Sequence, residues 1–591
     1  MLEKSNESLP LPSSQPYHSY RNKASTKYPK ILLGILFLLA TVINFSPSFS
    51  LNNIKQYGGY VSFVDDENWI DRFEQDDLEN WSKCPKQPKP LYPNTIWNLT
   101  DKEKSKVIST YQKAVQIPTE SFDDNGEADE DPRWKPFFQF QNWLKNTFPL
   151  AHATANIEYI NTLGILATFE GSDPSLKPLL LMSHYDVVPA PKDTFDRWTY
   201  PPFSGYNDET YIWGRGAADD KPLLIAQWEA ITNLLENGFK PRRTIILSHG
   251  HDEEEVFARR GQGQIAPFLE KRYGKNGLLM VIDEGSGTTD DFYGTPFAIA
   301  GMGEKGYMDI VISVATAGGH SSVPPAHSGI GIMSQIVTAL EDNPFPTKLT
   351  PASPLLTSLQ CASEYSSNLP SKYSKLLKKE GPKSYPKLAN LISKESLKEK
   401  AMVGTTAAVD VIQGGLKVNA LPELVNTLIN FRIDFTESIN STQTHVNALI
   451  SKIAKKNTLN YYGFQNENIT SLADNEDKYV KVDLLGLPLE PAPRTPQSGG
   501  IWELFAGTVK AAIPGPNGTE RIVTPYMSTG NTDCKMYYNL TKNVYRFMGS
   551  PTEGSFNAHT VDEKFSIDGY LQIIKWIHAI IQNSDAYTGE E

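Results

Sequence analysis

In RTIILSHGHDEEEVF (243–257), an apolar β-branched run breaks into two histidines and four acids. Similar groups end two other apolar runs: His184 and Asp186 close PLLLMSHYDVV (178–188), and Asp283 and Glu284 close GLLMVIDEG (277–285). GRGAADDK (214–221) adds Asp219, and the late NAHTVDEKF (557–565) adds His559. Carboxylates gathered in one crevice repel each other and take up protons unless cations hold them ionised. Imidazole and carboxylate together suit zinc.

Each piece alone carries little. A single His-x-Asp is ordinarily a surface or core pair, and DEEE reads equally as a solvated turn. GRGAADDK is not a phosphate loop, because no Gly-Lys-Ser/Thr follows and Asp219 and Asp220 would repel phosphate. Order and position add weight. The three apolar runs are short, bounded by turn residues, and read as buried parallel strands. Between the first two, PLLIAQWEAITNLLENG sets Leu224, Trp228, Ile231 and Leu235 on one helical face, with Pro222 near its start and Gly238 past its end. Strand, helix, strand implies an α/β sheet covered by helices. Such sheets bind ligands at the carboxyl ends of their strands, where these acids and histidines fall.

A chain of 591 residues with 39% apolar content exceeds one domain of roughly 100–200 residues. Net charge is −12 with both signs interspersed, which gives no nucleic-acid footprint. Cys84, Cys361 and Cys534 allow at most one disulfide, and their spacing matches no cysteine-ligated zinc site. Residues 1–30 are polar and basic, and Ile31–Phe45 is apolar, extended by uncharged residues to Leu51. This predicts a transmembrane signal anchor over 31–51 with a cytosolic tail and a lumenal remainder; a cleaved signal peptide and secretion are the rival reading. Sequons at Asn80, Asn98, Asn440, Asn468, Asn517 and Asn539 agree with lumenal exposure. Residues 52–105 read as a stalk.

The ordered segments LLMSHYDVVPA, YIWGRGAADDK, GHDEEEV, VIDEG, GGHSSVPP, NFRID and HTVDE resemble those of the carboxypeptidase S, aminoacylase and succinyl-diaminopimelate desuccinylase family of dinuclear zinc hydrolases. The resemblance covers roughly 105–585 and is nearest the fungal, vacuolar carboxypeptidase S branch, whose members act on Gly-Xaa peptides and carry an N-terminal anchor. It implies an α/β fold: a zinc-exopeptidase-like catalytic domain with a mostly parallel central sheet over 106–304 and 476–591. An inserted ferredoxin-like α+β lid would span 305–475, its strands and helices running from YMDIVISVATAGGHSS to TLNYYGF. Within the lid, 343–400 reads as a helical excursion without catalytic role.

The same resemblance implies two Zn²⁺ per subunit. His184 and Asp283 would bind one, Glu254 and His559 the other, and Asp219 would bridge them. Glu253 would be the general base, with Asp186 orienting the His184 imidazole; for Asp186, a salt bridge to a nearby basic residue is the alternative. Glu255 and His249 leave a one-residue question over register, which GHDEE resolves best on Glu253 and Glu254. The family usually has Gly after DDK where this chain has Pro222, which a first helical turn accepts. His320 would stabilise the oxyanion, and Asn419, Arg432 and Thr532 of STGNTDC (528–534) would hold the substrate carboxylate. Otherwise His320 is a turn histidine and Arg432 a strand-end ion pair. In some relatives the lid histidine serves the neighbouring subunit, so a homodimer is an open expectation.

The expected substrate is a small peptide cut at its C-terminal bond. Alternatives are an N-acyl amino acid hydrolysed by the same metals, or a membrane-tethered ectodomain that has lost catalysis. Gly-x-Ser-x-Gly and His-Glu-x-x-His are both missing, which argues against a serine hydrolase and a single-zinc protease.

Overall fold

Successive residues of a strand point to opposite faces. In the computed structural model, which describes residues 81–92, 96–255, 259–466, 468–472 and 476–589, both faces of the predicted strands are buried. Leu179, Leu181, Ile245, Leu247, Met280 and Ile282 join one core with the helices Asp101–Val115, Lys221–Glu236 and Ile567–Ala586. Leu180, Met182, Ile246 and Val281 join another with Ile265, Ala266 and Leu269 of the helix Gln262–Tyr273. This explains why the runs are continuously apolar instead of alternating.

The three strands pair in parallel, Leu179–His184 lying between Ile245–Gly250 and Met280–Thr289. Their carboxyl ends share one rim, with His184 opposite Gly250. The sheet has eight strands in the order Asn156–Ile160, Gly164–Phe169, Ile245–Gly250, Leu179–His184, Met280–Thr289, Val544–Pro551, Phe297–Glu304, Ile522–Ser528. It is mixed instead of mostly parallel, because three of its seven neighbouring pairs are antiparallel. One cause is the hairpin at Asn161 and Thr162, both at positive φ, since so short a connection can only reverse the chain.

A second sheet of six strands runs in the order Thr406–Gly414, Leu424–Ile433, Gly306–Ala315, Tyr479–Leu484, Asn460–Tyr462, Asn468–Thr470. Met308, Ile310, Ile312 and Val314 alternate onto one face, beneath the helices Gly329–Asp342 and Ile439–Lys456. The strand pairing with the far side of Gly306–Ala315 is Tyr479–Leu484, not the segment TLNYYGF, which supplies only the short Asn460–Tyr462 beyond it. The second sheet therefore extends past residue 475, where the sequence reading ended it. Residues 343–400 are mainly short helices with a core of their own around Leu356, Leu359, Tyr373 and Leu388, sealed by Phe435 and Met527.

The tail and anchor read at 1–51, and the stalk as far as residue 80, lie outside the described residues. Among the described residues no helix is long and apolar enough to cross a membrane. The stalk reading fails from Trp81 onward. Trp81 is buried beneath the Arg494 guanidinium, Leu91 donates to the Gly507 carbonyl, and a helix starts at Asp101 behind a Thr100–Glu103 capping box. Cys84 is bonded to Cys361 on the helix Pro354–Tyr365, and Cys534 is free and buried. Asn98, Asn440 and Asn517 are exposed, whereas the amide nitrogen of Asn539 donates to Glu270.

These environments predict thiol counts. Purified native protein should show no thiol reacting rapidly with a chromogenic disulfide reagent, one after denaturation, and three after denaturation and reduction. Three reactive thiols without reductant would exclude the Cys84–Cys361 bond.

Candidate metal centre and substrate pocket

His184 ends its strand almost wholly buried, with its two ring nitrogens facing different acids. Nδ1 lies 3.1 Å from the Asp186 carbonyl and 3.3 Å from Asp186 Oδ1. Nε2 lies 3.0 Å from Asp219 Oδ1 and 3.7 Å from Glu284 Oε1. The other oxygen of Asp219 is 3.1 Å from His559 Nε2, which is also 3.1 Å from Glu254. One carboxylate is thus shared by two imidazoles that approach it through different oxygens.

Asp186 does more than face the imidazole. It is fully buried, accepts from Ser121 Oγ at 2.8 Å, and receives the backbone N–H groups of Glu253 and Glu254 at 3.2 and 3.1 Å. The same carboxylate therefore fixes the ring of His184 and the start of the acid turn. Asp219 is delivered by the loop 214–220, in which Gly214 and Gly216 have positive φ. A Cβ at Gly216 would meet Val187 Cγ1 at 2.5 Å, so only glycine fits there. Pro222 stands in the first turn of the Lys221–Glu236 helix, as expected.

Among the described residues, three groups of side chains have ligand atoms within 4.8 Å of one another: His184 with Glu253 and Glu254, His184 with Asp219 and Glu284, and Asp219 with Glu254 and His559. Protonation reflects this crowding. Burial pushes the Glu253, Glu254 and Glu284 carboxyls up, with Glu254 adding to the effect at Glu253 and Asp219 adding to it at the other two. Burial disfavours the charged form of His184, but Glu284, Asp186 and Asp219 outweigh it and raise the group well above its ordinary value. Hydrogen bonds to Asp219 and Glu254 raise His559 to about 10. Asp219 is held below the usual carboxylate range, the two imidazoles overcoming burial. A set of oxygen and nitrogen donors that must be neutralised by protons is a set that fits cations, and two groups sharing Asp219 fit a pair.

Asp283 is not part of these groups. It is buried on the opposite face, accepting from the Cys534 thiol at 3.2 Å, and the neighbouring Glu284 faces His184 and Asp219 instead. Strand alternation separates the two acids, so a one-residue shift in alignment selects the wrong face.

The substrate residues expected from the resemblance fall into two places. Arg432 lies on the Leu424–Ile433 strand and donates from Nη1 to Asn531 Oδ1 at 3.0 Å. Thr532 is buried and spent on its own turn, its hydroxyl accepting from Cys534 N at 3.3 Å, so the loop residue that reaches Arg432 is Asn531. His320 and Asn419 meet on a separate two-stranded ribbon, where His320 pairs with Ala420 and the Asn419 carbonyl accepts from Ser321 N at 3.3 Å. The His320 ring bonds Ser322 at 2.6 Å. Among the described residues no hydrogen bond or ion pair joins His320 or Asn419 to the His184 cluster.

A sequence model described as peptidase family M20/M25/M40 matches residues 180–583. The chain belongs to that family. Carboxypeptidase S of Saccharomyces cerevisiae is 40% identical over 497 residues, covering 81% of this chain and 84% of that protein. A human N-fatty-acyl-amino acid synthase/hydrolase is 30% identical over 494 residues, covering 82% and 89%. The fold is that of a solved M20 family metallo-carboxypeptidase from Sulfolobus solfataricus, with a TM-score of 0.54 at 20% identity over 81% of this chain and 99% of that one.

Sequence reasoning missed Ser121, Glu284, Asn531 and Glu563, the last of which accepts from the backbone N–H of Ala218 and of Asp219. Glu284 and Asn531 each stand one residue from a predicted position and Glu563 lies inside HTVDE, while nothing in the sequence marks Ser121 as facing Asp186. The Asp283/Glu284 assignment is testable by metal content after purification. Glu284→Gln should lose at least one divalent ion and about 10²-fold or more in activity. Asp283→Asn should keep both ions, because Cys534 can donate to an amide oxygen. The reverse pattern would exchange the two residues.

Proposed function

We propose that the protein is a zinc-dependent carboxypeptidase that removes the C-terminal residue of small peptides of the Gly-Xaa type, with two zinc ions per subunit. The observation that carries this reading is the Asp219 carboxylate shared by His184 and His559, with Glu253 close to His184 and Glu254. His184, Asp219 and Glu284 would hold one ion, and Asp219, Glu254 and His559 the other. When bound, the pair supplies Lewis acidity that polarises the scissile carbonyl and acidifies water.

The chain's own residues do the rest. Glu253 is the carboxylate left over for proton transfer: it takes a proton from the attacking water and returns it to the departing amine. Asp186 keeps the His184 ring in one orientation and, through the backbone of Glu253, holds the base in place. Arg432 is the donor for a planar carboxylate, and Asn531, which accepts from its guanidinium, holds it in place. His320 and Asn419 supply the oxyanion and carboxylate contacts from the ribbon, which suits service to a second copy in a homodimer. The full donor set argues against an inactive ectodomain. N-acyl amino acid hydrolysis remains the second reading, favoured by the human relative's name, since the bond broken is also an amide beside a free carboxylate. We place the enzyme in the vacuole lumen behind an anchor at 31–51, in keeping with a disulfide and exposed sequons.

Two measurements test the chemistry. Glu253→Gln should abolish turnover while retaining both zinc ions, whereas Glu254→Gln should also weaken zinc retention; the opposite outcome makes Glu254 the base. Amidating the C-terminus of a good peptide should cost roughly two to four powers of ten in kcat/KM, about 3–5 kcal/mol, because a half-buried guanidinium loses its charged partner. Arg432→Ala should impose a similar loss on the free acid and little more on the amide. Equal cleavage of acid and amide by the wild type removes the exopeptidase reading. A parallel assay on N-acyl amino acids ranks the two substrate classes.

A further inference from the structure

Glu563 lies outside the three ligand groups, yet it is more deeply buried than most of their members, at 1% exposure. Its side chain and backbone both hold the loop that delivers Asp219. Oε1 accepts from the backbone N–H of Ala218 at 2.8 Å and of Asp219 at 3.3 Å, and Oε2 accepts from the Arg215 guanidinium. The Glu563 carbonyl accepts from Gly214 N at 2.9 Å. One residue therefore grips the 214–219 loop at both ends and through its only arginine. The grip extends a strand pairing, since the next residue, Lys564, lies opposite Trp213, the residue before Gly214.

Glu563 also belongs to the turn that carries His559. In that turn Asn557, His559 and Asp562 all have left-handed φ, between 59° and 64°, a conformation that side chains other than glycine adopt at a cost. The side chain of His559 is 54% exposed, so packing does not place it and its backbone must. Two anchors hold that backbone. The Asp562 carboxylate accepts from Thr199 N and Oγ1 at 2.6 and 2.8 Å, and Glu563 is the other anchor.

We infer that Glu563 is a positioning residue that sets the spacing between Asp219 and His559, and so the zinc position these two share with Glu254. The inference rests on the dinuclear reading above. Neither residue needs Glu563 in order to be present, since each is fixed in the chain 340 residues from the other. What the carboxylate supplies is a common origin for both. It must be a carboxylate, because it accepts from two amides and a guanidinium together. In Glu563→Gln the side-chain nitrogen would face either the guanidinium or the amides, donor against donor.

The test is zinc titration of chelator-stripped protein against a competing chromophoric chelator. Wild type should take up two equivalents. Glu563→Gln should bind the first equivalent within about threefold of wild type and the second roughly 10–100-fold more weakly, with kcat/KM falling in step at limiting zinc and recovering as zinc is raised. Glu563→Ala should do the same to a greater degree; if it does not fold, the near-isosteric Gln variant decides alone. A lowered Tm of the metal-free Gln variant with both zinc affinities unchanged would make Glu563 merely structural and overturn the inference. If wild type itself fails to take up two equivalents, the dinuclear reading falls and this inference with it, an outcome distinct from the first.

Discussion

Repulsion between like charges is the constraint around which this molecule is arranged. Glu253, Glu254, Glu284 and Asp219 approach one another at the rim of a sheet whose interior is apolar, where water screens them poorly. Left alone, such a group would disperse or take up protons, and the raised carboxyls of Glu253, Glu254 and Glu284 record the second outcome. The fold does not relieve the repulsion. It holds the acids in place, with Asp186 tied to two backbone amides and Glu563 tied to two more, so that relief comes from protons or from bound cations. That is the difference between an acidic patch, which rearranges, and a site, which waits for charge.

Holding acids against their repulsion takes rigidity from sources distant in sequence. Ser121 and Asp186 are 65 residues apart, and the Ala218 N–H and Glu563 are 345 apart. Such contacts form only once the chain has closed. The parallel strands make closure reproducible: continuous apolar runs bury both faces, leaving the polar end residues one rim to occupy. Burial of these apolar side chains thus aims the site even though none of them takes part in the chemistry.

Where the sequence was legible, it was so for this reason. A run such as PLLLMSH announces a two-faced buried strand and, at its end, a polar group with nowhere else to go, so His184, Asp186, Glu253 and Glu254 could be brought to one rim without coordinates, whereas Asp219 and His559 were joined to them by the family resemblance. Legibility failed where one residue decides a face. Asp283 and Glu284 are adjacent acids in the middle of one strand, Met280–Thr289, and composition does not say which of them turns toward His184. Thr532 and Asn531 pose the same problem in a loop, where no periodicity exists to settle it. The second sheet's fourth strand was misplaced for another reason. Asn460–Tyr462 and Tyr479–Leu484 are both short segments C-terminal to the helix Ile439–Lys456, and only pairing with Gly306–Ala315 distinguishes them.

The join between the two sheets bears on how a substrate would be read. Glu304 ends a strand of the first sheet and Gly306 begins a strand of the second, so a single residue, Lys305, connects them. Glu304 and Lys305 are both pinned. Glu304 forms a fully buried pair with Arg546 at 2.8 Å, and Lys305 Nζ donates to the carbonyls of Ala401 and Gly404 at 3.0 and 2.6 Å. The Lys305 carbonyl accepts from Asn531 at 2.6 Å, and Tyr307, just beyond, lies beneath the Arg432 guanidinium. A buried ion pair is a poor source of net stability, but breaking it leaves an uncompensated charge, which makes it an effective lock on geometry. Asn531 thus touches Arg432 with its oxygen and the connection with its nitrogen. The cation that would read the substrate carboxylate is therefore referenced to the same backbone point that joins the two sheets. Any motion of the second sheet that carried Arg432 away would have to break the Asn531 bridge, whereas among the described residues no hydrogen bond or ion pair ties His320 or Asn419 to that connection.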